Sequence, residues 1–379
     1  MRRSLARLLF LVLRALRPKM PRREALTILV LQQQIPLGCC VHATPLFSAI
    51  KHTQPESTLI VAARGLASAT YQHDPHIDHL IETSNPVSSR GAILQAARAL
   101  RHELKLRGLQ PDLILQDASN RAGTFALFAA LLRLAPVAGF AKVRELYDTP
   151  LDYDAQRSLI ANNLRLIERL SASPTSPEPA VYFTAGELNT AEAMLRDANP
   201  EGHPVAAFVV QGSGGQRTAW HDDRFAQVLR HIEDRGYATV FLGTATDAPA
   251  IDTIARLASS RGLSLAGRTN IPQIAALLTQ CDLLISVDTG TMHVGRAAGL
   301  PMVVLGPSWQ RPIEWLPVGL PNVRILRGAD RDDIPPDYKL DEIEVPAVLA
   351  AADELTVLYP ASVADRAKRA ARLLSSTRS

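Results

Sequence analysis

The polar side chains best spaced to bind an anion lie in the run Ser286-Val-Asp288-Thr289-Gly290-Thr291-Met292-His293. The apolar residues Leu283 to Val287 predict a buried strand, after which Asp288 and Thr289 predict the cap of a helix. The free N–H groups and the dipole at the start of such a helix favour a negatively charged group. His293 follows one turn along the same helix. The run therefore predicts a site for a nucleotide phosphate, and an ordinary capping turn is the alternative.

A strand on each side of this helix must hold the site in place. The apolar run Met302 to Leu305 predicts the second strand, and Gly306-Pro307 ends it. A strand, a helix and a strand at this spacing form a parallel βαβ unit, and open α/β sheets bind ligands at the carboxyl ends of their strands. We therefore expect Asp288, Thr289 and Gly290 at the ligand-binding edge of a parallel sheet.

Two more polar turns follow predicted strands in the second half of the chain. The glycine-rich turn Gly212-Ser213-Gly214-Gly215 would let backbone amides approach a phosphate, whose charge Arg217 would neutralise. Asp247 follows another predicted strand, where a carboxylate can hydrogen-bond a ribose as in dinucleotide sites. A plain surface turn and a helix N-cap are the respective alternatives.

Short apolar runs alternate with helical patterns along the chain, which predicts an α/β protein with parallel sheets. A chain of 379 residues also exceeds the size at which one hydrophobic core usually keeps growing, so we expect two domains. Residues 171–180 are rich in serine and proline, fit neither a helix nor a strand, and predict the linker. The expected parts are a basic arm at 1–24, a first domain at 25–170, the linker at 171–180, a second domain at 181–342, a helix at 343–360 and a basic tail at 361–379.

The positive net charge of +4 belongs to the start of the chain. Residues 1–24 hold eight basic side chains and one acidic one, so the remainder has 33 basic and 36 acidic residues and is slightly acidic. Apolar residues interrupt the arginines, which predicts an amphipathic helix that lies on a membrane surface and is too short to span it. A helix packed on the body is one alternative. A signal peptide is another, but Arg7 and Arg14 break the apolar stretch and no small-residue cleavage site follows.

Composition also bears on other classes of protein. Three cysteines, Cys39, Cys40 and Cys281, cannot build a disulfide framework, which is typical of a reduced, cytosolic protein. The arm lacks interleaved aromatic residues and known reading motifs, so we expect no nucleic-acid binding. Pro75 separates the histidines of His73-Asp74-Pro75-His76-Ile-Asp78-His79, which predicts a structural segment and no metal site there.

Three motifs together resemble one family of enzymes. Asp-Thr-Gly-x-Met-His at 288–293, Ala-Ala-Gly-x-Pro at 297–301 and Gly-Pro-Ser at 306–308 resemble the sugar-nucleotide signature of glycosyltransferase family 9, which contains the lipopolysaccharide heptosyltransferases. The resemblance covers most of residues 26–360. It implies two Rossmann-like domains facing across a cleft, the GT-B type, with the helix at 343–360 crossing back to support the first domain.

The resemblance also implies a reaction and its partners. We expect inverting transfer of a sugar, heptose from ADP-heptose, onto a lipopolysaccharide core or a related glycolipid, without a metal or another cofactor. The glycolipid and the membrane arm place the enzyme on the cytoplasmic, inner face of the bacterial inner membrane. Arg64, just after a predicted strand, would meet an anionic acceptor or remain a surface charge. The candidate donor-binding residues are Gly212, Ser213, Arg217, Asp247, Asp288, Thr289, Gly290 and His293.

The first loop departs from the family pattern at the residue that matters most for catalysis. The segment Pro36-Leu37-Gly38-Cys39-Cys40-Val41-His42-Ala43-Thr44-Pro45 resembles the family's Leu-Gly-Asp motif, with Cys39 in place of the Asp that serves as general base. A thiol with a reference pKa of about 8.5 is a poor base at neutral pH. His42, about one helical turn further on, is an alternative base or a packed histidine.

Two other functions therefore stay open. A protein of the same fold could bind a nucleotide sugar or take part in an assembly after losing catalysis, and Cys39 motivates this alternative. A sugar-nucleotide epimerase with two such domains would convert a nucleotide sugar with no acceptor present.

Overall fold

The structure is a computed structural model that describes residues 12, 14–19, 21, 25–33, 36–89, 91–140, 142–168, 178–212 and 217–375. The chain divides into two compact units, Met1–Pro179 and Ala180–Ser379. The division falls within the serine- and proline-rich segment 171–180, of which residues 178–180 are described.

The described residues of the first unit form a parallel sheet of six strands: β1 Thr27–Gln32, β2 Thr58–Ala63, β3 His79–Glu82, β4 Leu113–Gln116, β5 Val137–Phe140 and β6 Thr149–Leu151. The strand order is β3-β2-β1-β4-β5-β6, so the direction of strand addition reverses between β1 and β4. The α-helices described in this unit are α1 Leu37–Thr53, α2 Leu66–Tyr71, α3 Ala92–Leu106, α4 Gly123–Leu132 and, after β6, α5 Leu159–Leu164.

The described residues of the second unit repeat this architecture with β7 Val205–Val209, β8 Ala238–Phe241, β9 Leu263–Ser264, β10 Leu283–Val287, β11 Met302–Leu305 and β12 Val323–Leu326. The order is β12-β11-β10-β7-β8-β9, and it reverses between β7 and β10. The helices are α6 Ala185–Ala198, α7 Asp222–Asp234, α8 Ala248–Ala258, α9 Ile271–Thr279, α10 Gly290–Ala298, α11 Pro312–Trp315, α12 Val345–Leu358 and α13 Val363–Leu373.

Continuous apolar sequences explain the central strands of both sheets. Every residue of β7 and β10 is buried, as is all of β1 and β2 except the first residue of each. Such runs are typical of parallel strands that are covered on both faces. Apolar helix residues complete the cores, for example Leu100 and Phe128 in the first unit and Phe225 and Val348 in the second. The predicted α/β class with two Rossmann-like domains is confirmed.

The last segment of the chain docks on the second unit. The basic tail predicted at 361–379 contains α13, whose arginines bind the body of that unit. Arg366 Nε donates to Asp282 Oδ1 at 2.9 Å, and Arg369 Nε donates to the Thr279 carbonyl, at the end of α9, at 3.2 Å. Arg372 donates to the Ala297 carbonyl near the end of α10. Cations are favoured at helix C-termini, so basic residues here dock a helix.

The helix expected at 343–360 is present as α12. It packs Val348, Ala352 and Leu355 into the core of the second unit. Within the described residues, no single helix is long and apolar enough to cross a membrane. Only α12 and α13 taken together, bent by 91°, meet that length and composition.

Part of the basic arm contacts the first unit. Arg17 is buried, with Nη1 donating to Asp148 Oδ2 at 2.5 Å and Nη2 donating to the Leu146 carbonyl at 2.7 Å. Arg14 Nε lies 3.4 Å from Asp148 Oδ1. Leu16, between these two arginines, is 57% exposed. Most of residues 1–24 lie outside the described residues, so the amphipathic helix there stays a prediction.

Candidate functional site

The carboxyl ends of β7 and β10 bring two of the predicted polar turns together. Ser286 pairs with Val209, and the two strands meet where the strand order reverses. A Cβ atom on Gly212 would lie 1.9 Å from Thr218 Oγ1 and 3.5 Å from the carbonyl oxygen of Asp288, so only glycine allows this close approach. Ligands of open α/β sheets bind at such a reversal point. The Asp288 site is defined here as Gly212, Asp288, Thr289, His293 and Gln310.

Asp288 is the carboxylate of this site and directly follows β10. The residue is 7% exposed. Its Oδ2 accepts a hydrogen bond from Nε2 of Gln310, and its Oδ1 lies 3.7 Å from Nε2 of His293. Burial raises the pKa of Asp288 from 3.8 to about 6, and the Gln310 hydrogen bond opposes that rise. At neutral pH the carboxyl is therefore mostly ionised and can accept a hydrogen bond from a ligand hydroxyl.

Helix α10 begins beside this carboxylate. Thr289 is its N-cap residue, and the Thr289 side chain makes no capping hydrogen bond. The first N–H groups of a helix have no partner within the helix, and the dipole adds positive potential there. The helix ends at Gly299, whose φ of 74° is the left-handed conformation that glycine adopts without strain. The start of α10 is thus arranged as an anion site next to Asp288.

His293 lies in the first turn of α10 and is 4% exposed. Burial, and secondarily the charge of Arg296, lower the pKa of His293 to about 3. The ring is therefore neutral at physiological pH. It can donate a hydrogen bond to an anion but adds no positive charge.

Gln310, which belongs to this site, and Arg327, which contacts the loop carrying it, were not predicted. Gln310 follows β11, the strand beside β10, and its amide donates to Asp288. Arg327 directly follows β12 and donates to the carbonyls of Pro307 at 3.3 Å, Ser308 at 3.1 Å and Gln310 at 3.2 Å. Their positions in the sequence could have suggested them, because both residues follow strands whose carboxyl ends lie at the same edge of the sheet as Asp288.

The glycine-rich turn after β7 is described only at its two ends. Ser213 lies outside the described residues, together with 214–216. Arg217 is exposed, has a left-handed backbone with φ of 48°, and donates from Nη1 to the Ile334 carbonyl at 2.9 Å. In this structure its guanidinium is held by the loop at Ile334. Phosphate binding by Gly212, Ser213 and Arg217 stays a prediction.

Asp247 caps the turn that leads into α8. Its Oδ2 accepts from the Thr244 backbone N–H at 2.7 Å and from the Thr244 hydroxyl at 2.9 Å. A Cβ atom on Gly243 would lie 2.7 Å from the same Oδ2. These contacts match the alternative in which Asp247 caps a helix. Ribose binding by Asp247 stays a prediction.

In the first unit, Cys39 lies on α1, near the carboxylate of Asp117, which was not among the predicted site residues. Asp117 follows β4 and is fully buried, and its Oδ1 accepts from Nδ2 of Asn120 at 2.6 Å. Burial raises the pKa of Asp117, and hydrogen bonds from Asn120 oppose that rise. Burial, and further the charge of Asp117, raise the pKa of Cys39 to about 12. At neutral pH the thiol therefore keeps its proton.

The other first-unit candidates lie on α1 and after β2. His42 is 1% exposed, and its carbonyl accepts from Nδ2 of Asn163 at 3.2 Å, as in the packed-histidine alternative. Arg64 is half-buried and directly follows β2. A base role for Cys39 or His42 and an acceptor role for Arg64 stay predictions.

No group of three His, Cys, Asp or Glu side chains that could hold a metal ion occurs among the residues that the structure describes. In the segment with three histidines, Asp74 Oδ1 lies 2.8 Å from Nδ1 of His76, whereas Asp78 Oδ2 lies 2.5 Å from Nζ of Lys51. These acidic residues therefore serve different partners.

Comparisons with known proteins agree with this architecture. The family model of glycosyltransferase family 9 (heptosyltransferase) matches residues 100–326, more than half of the chain. The chain is 24% identical over 287 residues to lipopolysaccharide heptosyltransferase 3 of Escherichia coli, which covers 71% of this chain and 79% of that protein.

Two solved structures are similar in fold. A family 9 glycosyl transferase from Veillonella parvula has a TM-score of 0.78 at 18% identity, covering 90% of this chain and 99% of its own. The ADP-heptose lipopolysaccharide heptosyltransferase II of E. coli has a TM-score of 0.71 at 19% identity, covering 88% and 100%. The family match spans β10, α10 and β11 and contains all five residues of the Asp288 site.

Proposed function

Because the chain belongs to glycosyltransferase family 9, we propose that it transfers heptose from ADP-heptose to a lipopolysaccharide core or a related glycolipid. The second unit would bind the donor, and the first unit would bind the acceptor. The observation that carries this proposal is the Asp288 site, where an ionised carboxylate and the start of α10 lie at the reversal point of a parallel sheet.

The residues of the site suit the charges that such a transfer creates. An acceptor oxygen would attack the anomeric carbon from the side opposite the diphosphate, while the bond from that carbon to the diphosphate breaks. The leaving diphosphate gains negative charge, which the N–H groups of α10 would stabilise and neutral His293 would hydrogen-bond. Asp288 would accept a hydrogen bond from a sugar hydroxyl and so orient the donor.

Calorimetric titration of ADP, UDP, GDP and their common sugars tests the donor site. We expect selective binding of ADP and ADP-heptose by the wild type. Asp288→Ala should weaken ADP-heptose binding by about tenfold or more, because a hydrogen bond to a charged acceptor contributes about 1.5–3 kcal/mol. Binding of no nucleotide at all, or equal binding by the two proteins, would contradict the proposal.

A protein that binds the nucleotide sugar without transferring it is the second candidate function. The thiol of Cys39, which keeps its proton because burial raises its pKa to about 12, favours this candidate. Comparing ADP-heptose turnover with and without a lipopolysaccharide fraction, in wild type and Cys39→Asp, separates the two. Transfer by the wild type supports the enzyme, whereas transfer by Cys39→Asp alone supports a binding protein that has lost its base.

The glycolipid acceptor and the basic arm point to the same cellular site. We propose that residues 1–24 attach the enzyme to the cytoplasmic face of the bacterial inner membrane. The described part of the arm supports this arrangement, since Arg17 is bound to Asp148 while Leu16 stays exposed. An exposed apolar side chain on a basic arm suits the interface of an anionic bilayer.

A further inference from the structure

Gln310 is joined to Asp288 by a hydrogen bond that the family signature does not explain. Its Nε2 donates to Asp288 Oδ2, and both side chains are at least half-buried. The loop that carries Gln310 is in turn fixed by Arg327, which donates to three of its carbonyl groups. The guanidinium of Arg327 is itself paired with Asp330, whose Oδ1 lies 2.7 Å away. A chain of contacts thus runs from the end of β12 through this loop to the carboxylate after β10.

We propose that Gln310, held by Arg327, is a positioning residue that orients the Asp288 carboxylate toward the donor sugar. This inference rests on the proposed function, because it assigns the partner of the donor-binding carboxylate. Oδ2 is occupied by Gln310, and Oδ1 is the oxygen nearer to α10, 3.7 Å from His293 Nε2. A sugar hydroxyl would therefore donate to Oδ1.

An amide at position 310 suits this task better than any charged group would. An amide N–H stabilises the ionised form of a carboxylate without neutralising its charge. The charged and titratable groups around Asp288 are few among the described residues. His293 on α10 is neutral because its pKa is lowered to about 3, Arg327 after β12 contacts backbone carbonyls and Asp330, and Arg217 after β7 is bound to Ile334. Gln310 is therefore the group that holds the Asp288 carboxylate directly.

The test compares wild type, Gln310→Ala and Gln310→Glu by calorimetric titration of ADP-heptose and ADP between mildly acidic and mildly alkaline pH. In the wild type, affinity for ADP-heptose should fall as the pH drops through about 6, where Asp288 gains a proton. Gln310→Ala should move that midpoint up by about one pH unit, because the ionised carboxyl loses its donor. Gln310→Glu should move it further, since two adjacent carboxyls share one proton, and affinity at neutral pH should fall about tenfold or more.

Matched measurements separate this role from general damage to the fold. Gln227 on α7 is exposed, and its amide donates to the Asp223 carbonyl at 3.3 Å, so Gln227→Ala should leave the midpoint unchanged. Binding of ADP, which lacks the sugar, should change by less than about twofold in the Gln310 variants. A midpoint that is the same in wild type and both Gln310 variants would overturn the inference.

If the wild type binds neither ADP-heptose nor ADP, the proposed donor is wrong. The role of Gln310 is then tested by a measurement without ligand. The difference in unfolding free energy between proteins with Asp288 and with Asp288→Asn, followed against pH, reports the pKa of Asp288. This difference is measured once with Gln310 present and once in proteins that carry Gln310→Ala. The pH midpoint of the Asp288 titration should be higher with Gln310→Ala. No rise would show that Gln310 does not act on Asp288.

Discussion

At the residue scale, the site depends on how burial changes the protonation of Asp288 and His293. Both side chains are nearly inaccessible, and burial disfavours the charged form of each. The pKa of Asp288 rises to about 6 and that of His293 falls to about 3, so at neutral pH the pair consists of a carboxylate and a neutral ring. A hydrogen-bond acceptor beside a neutral donor suits a polar sugar next to an anionic diphosphate.

Asp288→Asn should stabilise the protein at neutral pH. The folded-state pKa of about 6 lies above the unfolded value of 3.8, so ionised Asp288 reduces stability as the pH rises from about 4 through about 6. At pH values above this range, Asp288→Asn should therefore be more stable than the wild type by about 3 kcal/mol. Chemical unfolding of both proteins near pH 4 and near pH 8 checks this, because the gain should appear only at the higher pH.

The titration of His293 does not disturb that comparison. With a pKa of about 3, its ring stays neutral in the folded protein between pH 4 and pH 8, so its contribution is the same in both proteins and cancels in the difference. An equal effect of Asp288→Asn at both pH values would mean that the amide changes packing and not the cost of a buried charge.

At the element scale, α13 packs on the second unit through basic residues that the sequence marked as a tail. α13 places Arg366 on Asp282, a carboxylate that is 6% exposed and also accepts from the Val205 backbone N–H at 2.8 Å. Two further arginines bind carbonyls at or near the C-terminal ends of α9 and α10. α13 therefore ties together the start of β7 and the ends of two helices, one of which carries the Asp288 site.

Arg366→Ala should destabilise the second unit by about 3 kcal/mol, because it removes the cation that donates to both oxygens of the buried Asp282 carboxylate. Urea unfolding monitored by tryptophan fluorescence measures the loss. Arg324→Ala is the matched control, since Arg324 pairs with exposed Glu354 and its removal should change stability little. Equal losses in the two variants would mean that burial of Asp282 does not determine the effect.

At the scale of the whole molecule, the chain combines two units of similar topology with a basic arm. Both sheets reverse their strand order at corresponding places, β1 with β4 and β7 with β10. The second reversal point carries an ionised carboxylate and an uncapped helix start, whereas the first carries protonated Cys39 and buried Asp117. The two reversal points therefore differ in their chemistry.

Full-length protein should bind vesicles that contain anionic lipids and bind neutral vesicles weakly. Leu16→Asp should lower the bound fraction on anionic vesicles about tenfold, because a buried leucine side chain contributes about 1.5–3 kcal/mol. Vesicle flotation measures binding, and Leu106→Asp is the matched control because Leu106 is 68% exposed on the first unit, outside the arm. Equal loss in both variants would place the membrane contact outside the arm.

The sequence alone determined the fold class and the position of the main turn. Apolar runs such as Leu283–Val287 and Met302–Leu305 have strand character whatever surrounds them, and Asp288-Thr289-Gly290 has the local chemistry of a helix start. The family resemblance rested on the same short-range pattern. These features are local, because a few neighbouring residues decide backbone conformation and burial pattern.

Only the tertiary structure decided which side chains reach each other and with what charge. Gln310 is 22 residues from Asp288 in sequence, and Arg366 is 84 residues from Asp282. Asp117 is likewise distant from Cys39 in sequence but close to it in the folded chain. The sequence marked Arg366 only as part of a basic tail and His293 only as a donor-binding candidate, because a sequence does not show which partner or how much protein will surround a side chain. Burial and long-range pairing set the pKa values and the contacts of the site, and both exist only once the strands have assembled.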